Sequence, residues 1–339
     1  MPSILQPIIA KQPHPLILKS THRSASTTSL EAHSILTTLL QTHKSAPPTI
    51  RTQTLDPNQL QKLNLTLSRP SSHILPNPSI LIPPGYHQIY FTPAISPQDL
   101  GPDGADISYN PPPPFTRRMW AGGHISWNQE NLLRVGEKVR ESTRLISAAA
   151  KRGRGGEEML VVGVEKVFEN AEGWGLVDKR DWIFRRPLSE EQKVSGVSQG
   201  VVGRGEEVSL PEAGEGVKQR DFLQTPVSLF RFSALTFNAH MIHYSREWCR
   251  EVEGHRDCVV HGPLNLLLML DLWRDGRARR EDHVMVPKSI KYRATAPFYV
   301  GEKYRGLLEP TSEGKASVKL WGRDGDGGVR VGMIGEIVE

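Results

Sequence analysis

Apolar residues fall into strand-length runs in both halves of the chain. In the first half they occupy positions 115–127, 133–152, 157–170 and 173–186, are rich in Val, Ile, Phe and Trp, and are separated by turn signals such as GRGG at 153–156. Runs of this kind predict antiparallel strands joined by hairpins. Positions 289–296, 302–310, 315–323 and 329–338 repeat the pattern in the second half. One stretch differs: LNLLLMLDLW, at 264–273, is apolar nearly all round. That predicts a buried helix, too short and too interrupted by Asp271 to span a bilayer. Gly262 and Pro263 open it, since proline at the first helical position gives up no useful N–H. Gly276 is well placed to end it. The first half shows only a short candidate helix, DPNQLQKLNLTL at 56–67. The expected class is α+β, with antiparallel sheets wrapped around helices and a clear central helix only in the C-terminal half.

Between the two runs of strands, positions 187–219 are rich in Gly, Ser and Glu without a period and read as a linker. GVVGRG at 200–205 lacks the flanking strand, the helix and the Lys-Ser/Thr of a nucleotide-binding loop, and belongs to that linker. The first 30 residues hold no acid but carry Lys11, Lys19 and Arg23, and 20–29 is hydroxyl-rich. This suits a mitochondrial presequence and a matrix location, although Pro2, Pro7, Pro13 and Pro15 oppose a continuous amphipathic helix. The expected organisation is a presequence or disordered tail over 1–45, an N-terminal domain over 46–186, the linker over 187–219 and a C-terminal domain over 220–339.

Charge narrows the function classes. The net +5 comes entirely from residues 1–98, where seven Lys/Arg face only Glu31 and Asp56, and the remainder is balanced. A folded basic face for nucleic acid is therefore not expected. The two cysteines, Cys249 and Cys258, lie nine residues apart with no CxxC, so neither a disulfide framework nor a zinc site is expected. No motif calls for a metal or any other cofactor.

The chemistry concentrates in LFRFSALTFNAHMIHYSREW at 229–248 and VVHGPLNLLLMLDLW at 259–273. His243 is the natural general base, its ordinary pKa lying near neutrality. Asn238 cannot act as a base but can hold a water or hydroxyl through its amide. His240 orients that group or satisfies the loop; His261 packs or caps at the helix start. The helix N-terminus offers free N–H groups and positive potential, so the Gly262 amide can receive a carbonyl oxygen that gains charge.

These segments, with YRATAPFYVGEKYRG at 292–306 and PFTRRMWAGGHISW at 114–127, resemble the MaoC-like hydratase/dehydratase families of the hot-dog fold, and most closely the fungal mitochondrial 3-hydroxyacyl-thioester dehydratase branch. The resemblance runs from about Thr49 to the C-terminus. It implies a double hot-dog, a non-catalytic first domain and a catalytic second. It further implies dehydration of 3-hydroxyacyl thioesters of CoA or acyl carrier protein, reversibly, in mitochondrial type II fatty-acid synthesis. His243 falls on the family's catalytic histidine and Gly262 on its oxyanion-hole glycine. The broad signature's Asp, Asn and Pro are here Asn238, His240 and Met241, which leaves proton transfer to His243 and water positioning to Asn238. His240, His261 and Tyr292 are expected to contact substrate. His124, alone in its strand, reads as structural.

Two other readings compete. A hydratase of a short branched dicarboxylyl-CoA such as mesaconyl-CoA would need a cation in the acyl pocket, whereas a fatty-chain enzyme would need an apolar tunnel. A non-catalytic thioester-binding protein is motivated by Asn238. A thioesterase would place a carboxylate near the helix, and none is evident in sequence. Arg274, Arg277, Arg279 and Arg280, at the end of the helix, offer a docking patch for an acidic acyl carrier protein.

Overall fold

The computed structural model describes residues 28–44, 46–70, 73–153, 155–193, 209–277, 284–325 and 327–339. Ten strands form one antiparallel sheet: β1 Thr49–Thr54, β2 Arg117–Trp127, β3 Lys138–Arg152, β4 Glu158–Asn170, β5 Gly173–Arg185, β6 Lys218–Leu223, β7 Ser289–Ala294, β8 Lys303–Ser312, β9 Lys315–Arg323 and β10 Val329–Val338. Their spatial order is β1-β3-β4-β5-β2-β7-β10-β9-β8-β6. Each half thus has its first strand outermost and its second innermost, with a three-strand meander between. The halves join where β2 pairs with β7, from Gly122 opposite Arg293 to Ser126 opposite Ser289. The hairpins are closed by residues suited to left-handed backbone, such as Gly173 (φ +114°) between β4 and β5 and Gly314 (φ +69°) between β8 and β9.

The helices are α1 Leu30–Lys44, α2 Pro57–Thr66, α3 Pro226–Thr236, α4 Arg246–Glu251 and α5 Gly262–Asp275. The predicted central helix is α5. Every residue from Leu264 to Arg274 is buried, because β6 to β10 enclose it on one side and the other half of the chain covers it on the other. No described helix is long and apolar enough to cross a membrane. In the first half α1 is as long as α5, 15 residues against 14, but it packs on a separate cluster and not against α5. The short α2 packs beside α3, and the place against α5 is taken by a 3-10 turn, Tyr86–Ile89, all four residues of which are buried. The two halves therefore share one large apolar core around α5 and form a double hot-dog, with a second, smaller core beneath α1.

A polar network pins this turn to α5. Tyr86 donates its hydroxyl to Asp271 (2.8 Å), Arg274 bonds the same carboxylate (2.7 Å), and Arg69 grips Asp275 through both terminal nitrogens. The carboxylate of Asp271 is buried, and burial raises its pKa against the pull of Arg274 and Arg69.

Two boundaries differ from the sequence reading. Residues 30–44, assigned to a tail, form α1, which buries Ala32, Leu36 and Leu39 against Phe115, Leu160, Val162 and Phe184, on the same face of the first-half sheet as Arg180 and Trp182 of the cavity wall. Ser29 begins it, donating its backbone N–H and hydroxyl to Glu158 (2.6 and 2.8 Å). Lys218 and Gln219, assigned to the linker, already belong to β6. The segment 200–205 lies outside the described residues.

Gly85 enters the 3-10 turn at φ +84°, where a Cβ would stand 2.7 Å from Leu267 and 2.9 Å from Leu270 of α5. Strain and collision act together there, so Gly85→Ala should destabilise the chain by about 2–4 kcal/mol. Urea unfolding of the variant beside the unaltered chain measures this.

Candidate active site

A cavity of about 840 Å³ lies between the halves. From the second half it is lined by Asn238, His240, His243, His261 and Gly262; from the first by Arg118, Trp120, Arg180 and Trp182. Helix α3 ends at Phe237 in the left-handed region (φ +49°), an uncommon conformation for a bulky residue, and this swings Asn238 and the 3-10 turn Met241–His243 under the start of α5.

His243 is buried, and its Nδ1 lies 2.8 Å from the carbonyl oxygen of Val259. A carbonyl only accepts, so Nδ1 carries the proton and Nε2 keeps a lone pair. Burial pushes the ring's pKa down to about 4, against the opposing pull of the Val259 carbonyl, with the charges of Arg118 and His255 adding to the depression. The ring is neutral and able to accept a proton near pH 7. His261 stacks on it face to face at 3.6 Å between centroids, and its Nε2 meets Ser233 Oγ at 2.8 Å. Burial holds His261 neutral too, and His243 and His240 add to that effect. It makes no side-chain cap for α5, so its place is that of a wall fixing the plane of His243.

His240 meets His243 edge to face, at 5.6 Å between ring centroids. Its Nε2 lies 3.3 Å from Oδ2 of Asp103, in the long proline-rich loop of the first half. Burial holds His240 well below its ordinary pKa, and His243, Arg118 and His255 add to that effect. The loop clamps the turn further: Met241 N–H donates to the Asp103 carbonyl at 2.8 Å. Asp103 escaped the sequence reading because it is 137 positions before His240. The unusual length of the loop was the signal available. Asn238 accepts the His240 N–H on Oδ1 at 3.2 Å, and among the described residues no acceptor meets its Nδ2, which remains for a hydroxyl or water.

Gly262 is the first residue of α5, so its N–H has no acceptor within the helix, and it lines the cavity. The ring of Trp120 closes over it; a Cβ there would lie 2.8 Å from Cγ and Cδ1 of that ring. Tyr292 does not reach the cavity, contrary to the role expected for it. It stacks behind Trp120 at 6.2 Å, buried, because β7 pairs with β2 and places the two rings on one face. His124 bonds Ser126 (2.8 Å) within β2 and stands outside the site.

The first-half wall is charged. Trp120 and Trp182 oppose each other across β2 and β5; Arg180 lies over the Trp120 ring (5.4 Å) and Arg118 over the Trp182 ring (5.2 Å). Arg180 is paired with Asp178 (2.6 Å), which also holds His87 (3.0 Å), while Lys166 and Arg51 share Glu141 (3.1 and 3.4 Å).

The arginine patch at the helix end is reduced. Arg274 is buried against Asp271 and Tyr86, and so cannot present itself to a partner. Arg277 is paired with Glu339 over Trp273. Arg279 and Arg280 lie outside the described residues. Cys249 and Cys258 are buried free thiols.

A double hot-dog that brings a neutral histidine and a helix-start amide into one cavity defines the class of MaoC-like acyl-thioester hydratases and dehydratases. Within it, the chain belongs to the hydroxyacyl-thioester dehydratase type 2 family, whose profile matches residues 85–300, and it is a hydro-lyase. The chain is 30% identical over 262 residues to a mesaconyl-C(4)-CoA hydratase of Chloroflexus aurantiacus, covering 77% of this chain and 85% of that one. It is 25% identical over 267 residues to the mitochondrial hydroxyacyl-thioester dehydratase type 2 of Schizosaccharomyces pombe, covering 74% and 87%. Among solved structures, a MaoC-like dehydratase of Phytophthora capsici superposes with a TM-score of 0.57 at 15% identity, covering 88% of this chain and 98% of that one. A Mycobacterium tuberculosis protein with a double hotdog fold does so at 0.51 and 12%, covering 87% and 96%.

Two outcomes follow. Because the folded pKa of His243 is about 4 and the unfolded value about 6.5, the acid limb of kcat/KM should fall near pH 4 rather than 6.5. Between those values the unfolded chain binds more protons, so stability is full above about pH 6.5 and declines as pH drops toward 4. A pH–rate profile and melting at stepped pH read the two effects. Gly262→Ala should displace Trp120 and lower kcat roughly 10²–10³-fold in steady-state assays.

Proposed function

We propose that the chain interconverts 3-hydroxyacyl and trans-2-enoyl thioesters, with His243 as the base. The observation that carries this is the Val259 carbonyl on Nδ1 of His243, which leaves Nε2 as a free lone pair in the cavity that also receives the Gly262 amide. In dehydration, the thioester oxygen takes the Gly262 N–H as charge builds on it. Nε2 of His243 accepts the proton from C2. The 3-hydroxyl leaves from C3, receives that proton and departs as water. Nδ2 of Asn238 holds the departing hydroxyl. Hydration runs through the same steps in reverse. No step needs a group beyond the chain and its substrate.

The mitochondrial name of the yeast relative and the acid-free N-terminus support a place in the mitochondrial matrix, acting on CoA or carrier-protein thioesters in fatty-acid synthesis. A specific observation favours the second reading, a short dicarboxylyl-CoA: the wall facing the histidines carries Arg118, Lys166 and Arg180 where a fatty-chain tunnel would be apolar. The relative named as a mesaconyl-C(4)-CoA hydratase supports it as well.

The test is hydration of crotonyl-CoA, followed by loss of the enoyl-thioester absorbance. His243→Ala should lower kcat by about 10²–10⁴-fold. Asn238→Ala should lower it less, and His124→Ala should leave it within twofold. A folded His243→Ala protein with near-full turnover sinks the proposal, and absence of activity in the unaltered chain would point to a binding role.

A further inference from the structure

The proposed chemistry leaves Arg118 unused. It precedes Trp120 by two positions on β2 and so lies on the same face of the sheet, roughly 7 Å along the strand. Trp120 covers Gly262, and Arg118 lines the same cavity. The neighbouring cations each have an acid: Arg51 and Lys166 share Glu141, Arg180 has Asp178 and Arg185 has Glu157. Among the described residues no carboxylate comes within ion-pairing distance of Arg118. Its single hydrogen bond there runs from Nη1 to the Asp106 carbonyl at 2.7 Å, while the Trp182 ring holds the guanidinium plane from one side. A guanidinium has five donors, and among the described residues only the one on Nη1 has a partner. Asp103 and Asp106 favour its charge from a distance, yet burial dominates and lowers its pKa. A half-buried cation in this state gains when an anion joins it.

We infer that Arg118 receives a carboxylate carried by the acyl group, so that the substrate is the thioester of a short dicarboxylic acid. This rests on the hydro-lyase reading and narrows it. The reach is short because Arg118 and Gly262 line one cavity and Trp120, which covers Gly262, is two positions from Arg118 on β2; the Arg118 charge is felt at both His243 and His240. A long apolar chain threaded past Arg118, Lys166 and Arg180 would strip their water without replacing its hydrogen bonds. The phosphates of coenzyme A belong to the far end of the pantetheine arm, away from the reacting carbons.

Two pairs of thioesters, each differing only by methyl against carboxylate at the acyl end, test this on the full chain. For binding, calorimetry compares butyryl-CoA with succinyl-CoA, neither of which carries the double bond. For turnover, crotonyl-CoA is compared with the monothioester of fumarate. The unaltered chain should prefer the carboxylate member by about tenfold or more in Kd and in kcat/KM. Arg118→Gln should erase the preference, and Arg118→Lys should keep part of it, because a cation remains without the fork. Equal affinity for butyryl-CoA and succinyl-CoA in the unaltered chain overturns the inference. So does an equal loss for both members in Arg118→Gln, which would assign the residue to the coenzyme or to the fold. Carboxylate-selective binding without hydration of either enoyl thioester would instead sink the hydro-lyase reading while leaving the carboxylate site in place.

Discussion

The amide of Gly262 is held between its own helix and the ring of Trp120, which arrives from the other half of the chain. That contact sets the spacing on which the site depends. It requires a residue without a Cβ at the start of α5, and it requires β2 to run beside β7 so that Trp120 can rest on Tyr292 while covering the glycine. A bulge between Trp120 and Gly122 re-aims the strand just past that ring. The cavity is consequently a product of the seam: one wall supplies the histidines and the amide, the other supplies indole rings and guanidinium groups.

Burial works differently on the two walls. On the second-half wall it keeps His240, His243 and His261 uncharged, and a single carbonyl decides which nitrogen of His243 accepts a proton. On the first-half wall charges persist because most are matched, with Asp178 between His87 and Arg180 and Glu141 between Arg51 and Lys166. Arg118 lies where the two walls meet and lowers the proton affinity of the histidines opposite. A neutral base and a cationic wall can face each other in so small a volume because the base gains nothing from being charged.

Much of this was legible in the chain itself. The all-round apolar run ahead of Trp273 and the Gly262-Pro263 start located α5 to within a residue at its start, and the strand runs located the meanders, since local period and turn chemistry report such features directly. His243, Asn238 and Gly262 stand together in the cavity as their proximity in sequence suggested. What stayed hidden depends on pairing across long separations. Asp103 meets His240 from a loop in the other half, Tyr292 is screened by Trp120, and Arg274 turns inward to Asp271. The helix α1 was read as part of a tail because it follows the acid-free N-terminal stretch, and the part of the first-half sheet that its apolar side chains cover is far away in sequence.

The seam between β2 and β7 has one more consequence. Two identical hot-dog subunits meeting at such an edge would present every inward side chain twice, so a base on one wall would imply a base on the other. Covalent linkage removes that symmetry. Here the strand order of the halves is the same, yet their inner faces have parted, with imidazoles on one and guanidinium groups on the other. A substitution on the first-half wall can then alter which acyl group is accepted without a matching change beside His243, and selectivity and reactivity are free to drift apart within a single polypeptide.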